Sequence, residues 1–147
     1  MNDYSISELS EVSPQNAEEI SNLLKQHVPH APTISMEHVH KVVNSSTSFI
    51  FVAVDHKNKI IGMATLLHTP KLDKLYKTEI EDVVVDTAER GKGLGSALII
   101  KALEKAKALG ATTVSLTSNP TRVAANHLYK KLGFALYETN NYKMNLA

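Results

Sequence analysis

The 147-residue chain contains no cysteine. That removes disulfides, thiolate metal ligands and a cysteine nucleophile in one stroke. It has no excess charge of either sign: sixteen basic residues face fifteen acidic ones, for a net +1. No basic tract is long enough for a nucleic-acid footprint, although Lys71, Lys74 and Lys77 form a loose cluster. Long apolar runs are missing too, and no charged-then-apolar leader opens the chain, so a cytoplasmic protein without a membrane partner is expected. No repeat, low-complexity block or Pro/Gly/Ser linker divides it. Residues 1–147 are therefore expected to form a single domain with its own core.

Periodicity outlines the elements that are present. Tyr4–Leu9 suits a short strand, and Asn16–His27 has Ala17, Ile20, Leu23 and Leu24 at helical spacing. Pro29 and Pro32 end that helix, and Ser35 caps a second over Ser35–Val43. Ser48–Asp55 and Ile60–His68 flank the polar turn His56–Lys59 and predict a hairpin. The polar segment Thr69–Lys77, with Pro70, is expected to be a loop, and Thr78–Asp86 the next strand.

A helix from Ser96 to Leu109 turns Leu94, Leu98, Ala102, Leu103 and Ala106 inward and Lys101, Glu104, Lys105 and Lys107 outward, stopping at Gly110. Thr112–Thr117 is expected as a strand. Asn119 then caps a helix with Pro120 at its first position, ending at Gly133. Phe134–Glu138 and Tyr142–Leu146 would close the chain as a hairpin. The order predicts an α/β (α+β) fold with a mixed central sheet, mainly antiparallel at its ends.

Chemistry concentrates where the apolar strand Val83-Val84-Val85 runs into Arg90-Gly91-Lys92-Gly93-Leu94-Gly95 and then a helix. Glycines let backbone N–H groups face inward, and a helix N-terminus aims unpaired N–H groups at the same point. The pattern reads as a phosphate grip, with a glycine-rich turn that holds no ligand as the competing reading. A P-loop is excluded because Lys92 lies between glycines and no Gly-Lys-Ser/Thr follows. A dinucleotide fingerprint is excluded because Ser96 occupies the third glycine position and Gly110-Ala111-Thr112-Thr113 offers no acidic residue. What remains is R-x-x-G-x-G, from Arg90 through Gly93 to Gly95.

That signature resembles the coenzyme A loop of the GCN5-related N-acetyltransferases (GNAT family). Ala125-Asn126-His127-Leu128-Tyr129-Lys130-Lys131-Leu132-Gly133-Phe134 resembles the family's Asn/Tyr segment ahead of Gly-Phe, here with two rather than three residues between Asn126 and Tyr129. The resemblance is specific from about Phe49 onward. It implies a sheet of about seven strands, mostly antiparallel, flanked by about four helices. It also implies acetyl transfer from acetyl-CoA, with no metal, to a primary amine by direct attack in a ternary complex. Cofactor binding falls to Val83, Val84, Val85, Arg90, Gly91, Lys92, Gly93, Leu94, Gly95, Ser96, Asn119, Asn126 and Tyr129. Glu81 is implied as the general base and Tyr129 as the group that meets the departing thiolate.

These roles meet a chemical need. An alkylamine with a pKa of about 10.4 is neutral in only about one part in a thousand at pH 7, so a carboxylate must take its proton. Strand alternation puts Glu81 and Asp82 on opposite faces, so at most one points at the thioester unless a bulge intervenes. An ordinary strand-start charge pair is the competing reading. A phenol is a weaker acid than a thiol, so a hydrogen bond from Tyr129 to the developing sulfur charge is the minimum role. The histidine pairs His27/His30 and His38/His40 suggest a metal, but no carboxylate pair or cysteine completes a shell.

The strand Ile80–Val85 resembles that of glucosamine-phosphate acetyltransferases; amino acids, polyamines, aminoglycosides and protein amines are alternative acceptors. The resemblance also leaves open a homodimer through strand edges. Rival readings are a catalytically silent acetyl-CoA sensor and an interaction protein whose glycine turn binds nothing.

Overall fold

The computed structural model describes residues 3–147. The chain divides into two compact units, one ending at Thr117 and the other Ser118–Ala147. The first holds strands β1 (Tyr4–Glu8), β2 (Ser48–Asp55), β3 (Ile60–Lys71) and β4 (Leu75–Val85), with helices α1 (Pro14–His27), α2 (Met36–Val43) and α3 (Leu94–Ala108). The second holds α4 (Val123–Lys131). Among the described residues no helix is long and apolar enough to cross a membrane.

Local signals explain the helix starts. Ser13 caps α1 through a reciprocal pair with Asn16, and Pro14 takes the first helical position, where a missing N–H costs nothing. The helix therefore begins two residues before the periodicity suggested. Ser35 accepts from the His38 N–H at 3.1 Å and caps α2 as expected.

The sheet is antiparallel in the order β1-β2-β3-β4. Opposed residues share a face. Val52 pairs with Met63 and Met63 with Val84, and all three join Ala17, Ile20, Leu23 and Val39 in the core beneath α1 and α2. On the other face, α3 buries Leu94, Leu98, Ile99, Ala102 and Ala106. Lys105 does not simply point outward: its ammonium lies 4.8 Å over the Phe49 ring and 3.2 Å from Glu8.

Three expectations are corrected here. First, Thr69–Lys77 is not a loop. The β3–β4 ladder runs on through His68↔Thr78, Thr69↔Lys77, Pro70↔Tyr76 and Lys71↔Leu75. The His68 N–H donates to Thr47 on the β2 side, so the N–H that Pro70 lacks would face that same side, beyond the end of β2. The buried His68 ring bonds Thr78 Oγ1 at 2.8 Å and stacks on Tyr76 at 4.1 Å.

Second, the described sheet has four strands, not about seven. Thr112–Thr117 contributes only the parallel bridge Ser115↔Glu79, in which the Ser115 N–H donates to Thr78 and the Ile80 N–H to Ser115. A bulge bends β4 just past Ile80, and the ladder goes no further. The closing hairpin is absent as well. Residues 134–147 form no ladder, and Leu136, Tyr137, Tyr142, Met144 and Leu146 stay exposed. An isolated two-stranded hairpin is marginal in water unless another surface covers its apolar face.

Third, Asn119 does not cap α4. Its side chain accepts from the Thr121 N–H and hydroxyl at 2.9 and 2.8 Å, closing a local turn. The helix starts at Val123, beyond Pro120.

Candidate active site

The bulge on β4 is the central feature of the first unit. Met63 pairs with Val84 and Thr65 with Glu81, so Asp82 and Val83 together oppose Ala64. Asp82 adopts the left-handed conformation, φ 51°, which aspartate tolerates better than most residues. Without the extra residue, Glu81 and Val84 would fall on opposite faces. With it, Glu81 follows Ile50 and Thr65 onto the α1/α2 face, the face that also holds Val84.

Glu81 and Asp82 are exposed at their surfaces, so water screens their charges and only the direction of each effect matters. Partial burial pushes the Glu81 carboxyl above its ordinary value. The negative charges of Asp82 and Glu79 push it further, and Lys77 opposes them. Burial also raises Asp82, against the pull of His27. Lys77 is itself engaged by Glu79 at 3.1 Å.

Beyond Val85 the chain makes one 3-10 turn, Thr87–Glu89, capped by Asp86 accepting from the Ala88 N–H at 3.0 Å. Arg90 follows, exposed, and then Gly91 and Gly93 take φ 80° and 82°. A β-carbon at either would be strained by backbone conformation alone. Gly93 is the N-cap of α3 and has no side-chain cap. The first intrahelical bond runs from the Ala97 N–H to Gly93, so the N–H groups of Leu94, Gly95 and Ser96 have no helical acceptor, as an anion grip requires.

Leu94 is buried, 1% exposed, so only its backbone can serve a ligand. Val84 is core in the same way. Lys92 pairs with Glu89 at 2.6 Å, and that hydrogen bond holds its ammonium protonated above the ordinary range.

The second unit gathers Asn119, Asn126 and Tyr129. Asn126 Nδ2 donates to the carbonyls of Asn119 and Arg122, both at 2.9 Å. The amide thus pins the turn before α4, which leaves its oxygen as the group for other partners. Tyr129 is buried. Gly133, φ 104°, ends the helix: its N–H donates to Lys130 and the Phe134 N–H reaches back to Tyr129. The Phe134 ring meets Tyr129 edge-on at 6.2 Å. Gly-Phe after the tyrosine is therefore the stop that fixes this helix end.

Sequence reasoning missed Ser118, whose hydroxyl is buried with no partner. Such orphans are rare and often functional, but nothing in the local pattern marks it. A separate cavity of about 270 Å³, lined by Ser7, Glu11, Asn16 and Glu19, holds none of the expected site residues. No group of three or more metal-ligating side chains clusters among the described residues.

A family model described as the acetyltransferase (GNAT) family matches residues 17–134. The chain belongs to that family. Glucosamine 6-phosphate N-acetyltransferase of Trypanosoma brucei brucei is 39% identical over 82 residues, 54% of each chain. Streptothricin acetyltransferase of Streptomyces lavendulae is 33% identical over 85 residues, 58% of this chain and 43% of that one. The chain spans about half the length of such curated relatives. Among solved structures, a Trypanosoma brucei acetyltransferase superposes with TM-score 0.79 at 28% identity, covering 98% of this chain and all of that one. An aminoglycoside acetyltransferase from a soil metagenome reaches 0.85 at 20% identity, covering 99% and 97%, and shares the fold.

Proposed function

We propose that residues 1–147 act as one N-acetyltransferase domain that moves acetyl from acetyl-CoA to a primary amine by direct attack. The observation that carries this reading is the β4 bulge followed by the two left-handed glycines and the uncapped start of α3. The pyrophosphate of the cofactor would lie on the N–H groups of 94–96, with Arg90 beside them. The outer backbone edge of 83–85 would take the pantetheine arm as an added strand.

In the reaction the amine nitrogen attacks the thioester carbonyl. The C–N bond forms, the C–S bond breaks, and the electron pair leaves on sulfur. Glu81, directly or through water, takes the proton lost by the amine. Its raised carboxyl is a stronger base than an ordinary surface glutamate. The Tyr129 hydroxyl donates a hydrogen bond to the departing thiolate. The chain has no cysteine, so no acetyl-cysteine intermediate forms. A small-molecule amine is the favoured acceptor, because relatives are named for glucosamine 6-phosphate and streptothricin. Cytoplasmic residence belongs to the same proposal.

The test is thiol release from acetyl-CoA across a panel of amino sugars, amino sugar phosphates, aminoglycosides, polyamines and amino acids, with thermal shift in parallel. Release with at least one amine, and a thermal shift from saturating acetyl-CoA, are expected. A shift without release from any amine would favour the sensor, and no shift at all would remove the cofactor reading.

A further inference from the structure

The β3–β4 ladder carries its charges in a graded order on one face. Pairing runs without a further bulge from Thr65↔Glu81 through Leu67↔Glu79 and Thr69↔Lys77 to Lys71↔Leu75. Alternate residues therefore share the α1/α2 face: Glu81, Glu79 and Lys77 along β4, and Lys71 on β3. This face is closed at Thr65, which is buried, and open at Glu81, Lys77, Thr69 and Lys71, which are exposed. Carboxylates stand at the bulge and lysines toward the hairpin tip. The fold thus divides the lysine cluster of the sequence, because Lys74 lies in the turn, off this face. Lys77 joins the two ends of the gradient. Its ammonium lies 3.1 Å from a Glu79 carboxylate oxygen, so the side chain leans along the strand toward the bulge. Glu79 is two residues from Glu81, about 7 Å along a strand. The Lys77 side chain is 52% exposed, and an exposed ion pair of this kind is weak in water. An ammonium also has three donors, so an incoming anion can share or take the charge.

We propose that Lys77 is a specificity residue of the acceptor site, and that the acceptor is an amine bearing an anionic group, a phosphate ester or a carboxylate. This rests on the transferase reading above. With the amine at Glu81, the anionic group lies on Lys77, and the acceptor runs along β4 from the bulge toward the hairpin tip. A neutral amine gains nothing from Lys77, and a polycation meets Lys77 and Lys71 as like charges. Lys77 touches the acceptor but takes no proton, so it acts through binding.

The test is a ratio of kcat/KM values, read by thiol release, for matched acceptors with and without the anion. One pair is glucosamine 6-phosphate against glucosamine, and the other an amino acid against its carboxamide. Wild-type protein should prefer the anionic member of one pair, and the pair that responds tells phosphate from carboxylate. Lys77→Gln should lower that ratio by about ten-fold, mainly through KM. Lys77→Arg keeps the charge and should retain most of the preference. Lys74→Gln removes the same charge off the face and should leave the ratio within about two-fold. Comparing ratios cancels amine basicity and any change at Glu81, which meets both members of a pair alike. Wild-type protein with no preference for either anionic acceptor overturns the proposal. So does a Lys77→Gln variant that slows both members equally, or a Lys74→Gln variant that matches it. Those results leave the transferase reading standing, whereas no thiol release from any amine sinks that reading and this inference with it.

Discussion

The two units solve the problem of order differently. Up to Thr117, four strands are locked by cross-strand pairs and covered by α1 and α2 on one face and α3 on the other. From Ser118 onward, order is local: an Asn119 turn, an Asn126 side chain pinning that turn, and a glycine stop with Phe134 against Tyr129. Beyond Phe134 the apolar residues find no ladder and remain exposed. Alternating apolar residues are enough to write a strand in sequence, but a strand exists only where a partner accepts its hydrogen bonds.

The sharpest way to break this comparison is a matched pair of truncations. Leu98 is fully buried and Leu136 is 92% exposed. Leu98→Ala should cost about 2–5 kcal/mol in chemical denaturation, and Leu136→Ala should change stability by less than about 0.5 kcal/mol. A large cost for Leu136→Ala would mean that the second unit buries its tail in solution.

Chemistry offers the next contrast, with one residue from each unit. Glu81→Gln should lower turnover by about a hundred-fold while leaving acetyl-CoA affinity within about two-fold, because it removes a proton acceptor. Tyr129→Phe should cost about ten-fold, since only a hydrogen bond to sulfur is lost. Steady-state kinetics beside calorimetric titration with acetyl-CoA read both. Unchanged turnover in either variant removes that residue from the mechanism.

Smaller effects probe local order. Gly133→Ala forces a β-carbon into a left-handed position and should cost about 1 kcal/mol. If the stop is what orients Tyr129, turnover should fall beyond what the stability loss explains.

The smallest expected effect is a gain. The folded Asp82 carboxyl lies above its ordinary value of 3.8, so its contribution to stability is full below that value and is lost as pH rises through the raised one. Asp82→Asn should therefore stabilise the protein at pH 7 by up to about 1 kcal/mol in thermal melts, with the gain vanishing in acid. A gain that persisted below pH 3.8 would show that the charge is not its source.

Much of the first unit was legible because its signals are local. The glycine pair needs φ values open to few other residues, the Ser35 cap satisfies donors three residues away, and the turn at His56–Lys59 is closed by Asp55 taking the N–H groups of Lys57 and Lys59. The continuation of β3 through Pro70 was illegible because it depends on where β2 ends. So was the bulge, since no residue in Glu81-Asp82-Val83 announces that two of them will face Ala64. Asn119 and Pro120 carry a helix-start signature, and a competing turn with Thr121 claimed the side chain instead.

The sequence by itself determined the glycine turn at Gly91 and Gly93 and the helix behind it, because each is a property of a few adjacent residues. Only the tertiary structure decided that Glu81 lies on the α1/α2 face, beside a bulge that sets Asp82 in the left-handed conformation. The physical reason is register: which side chain faces which depends on how strands slide past one another, and one extra residue in a ladder turns a carboxylate to the other face.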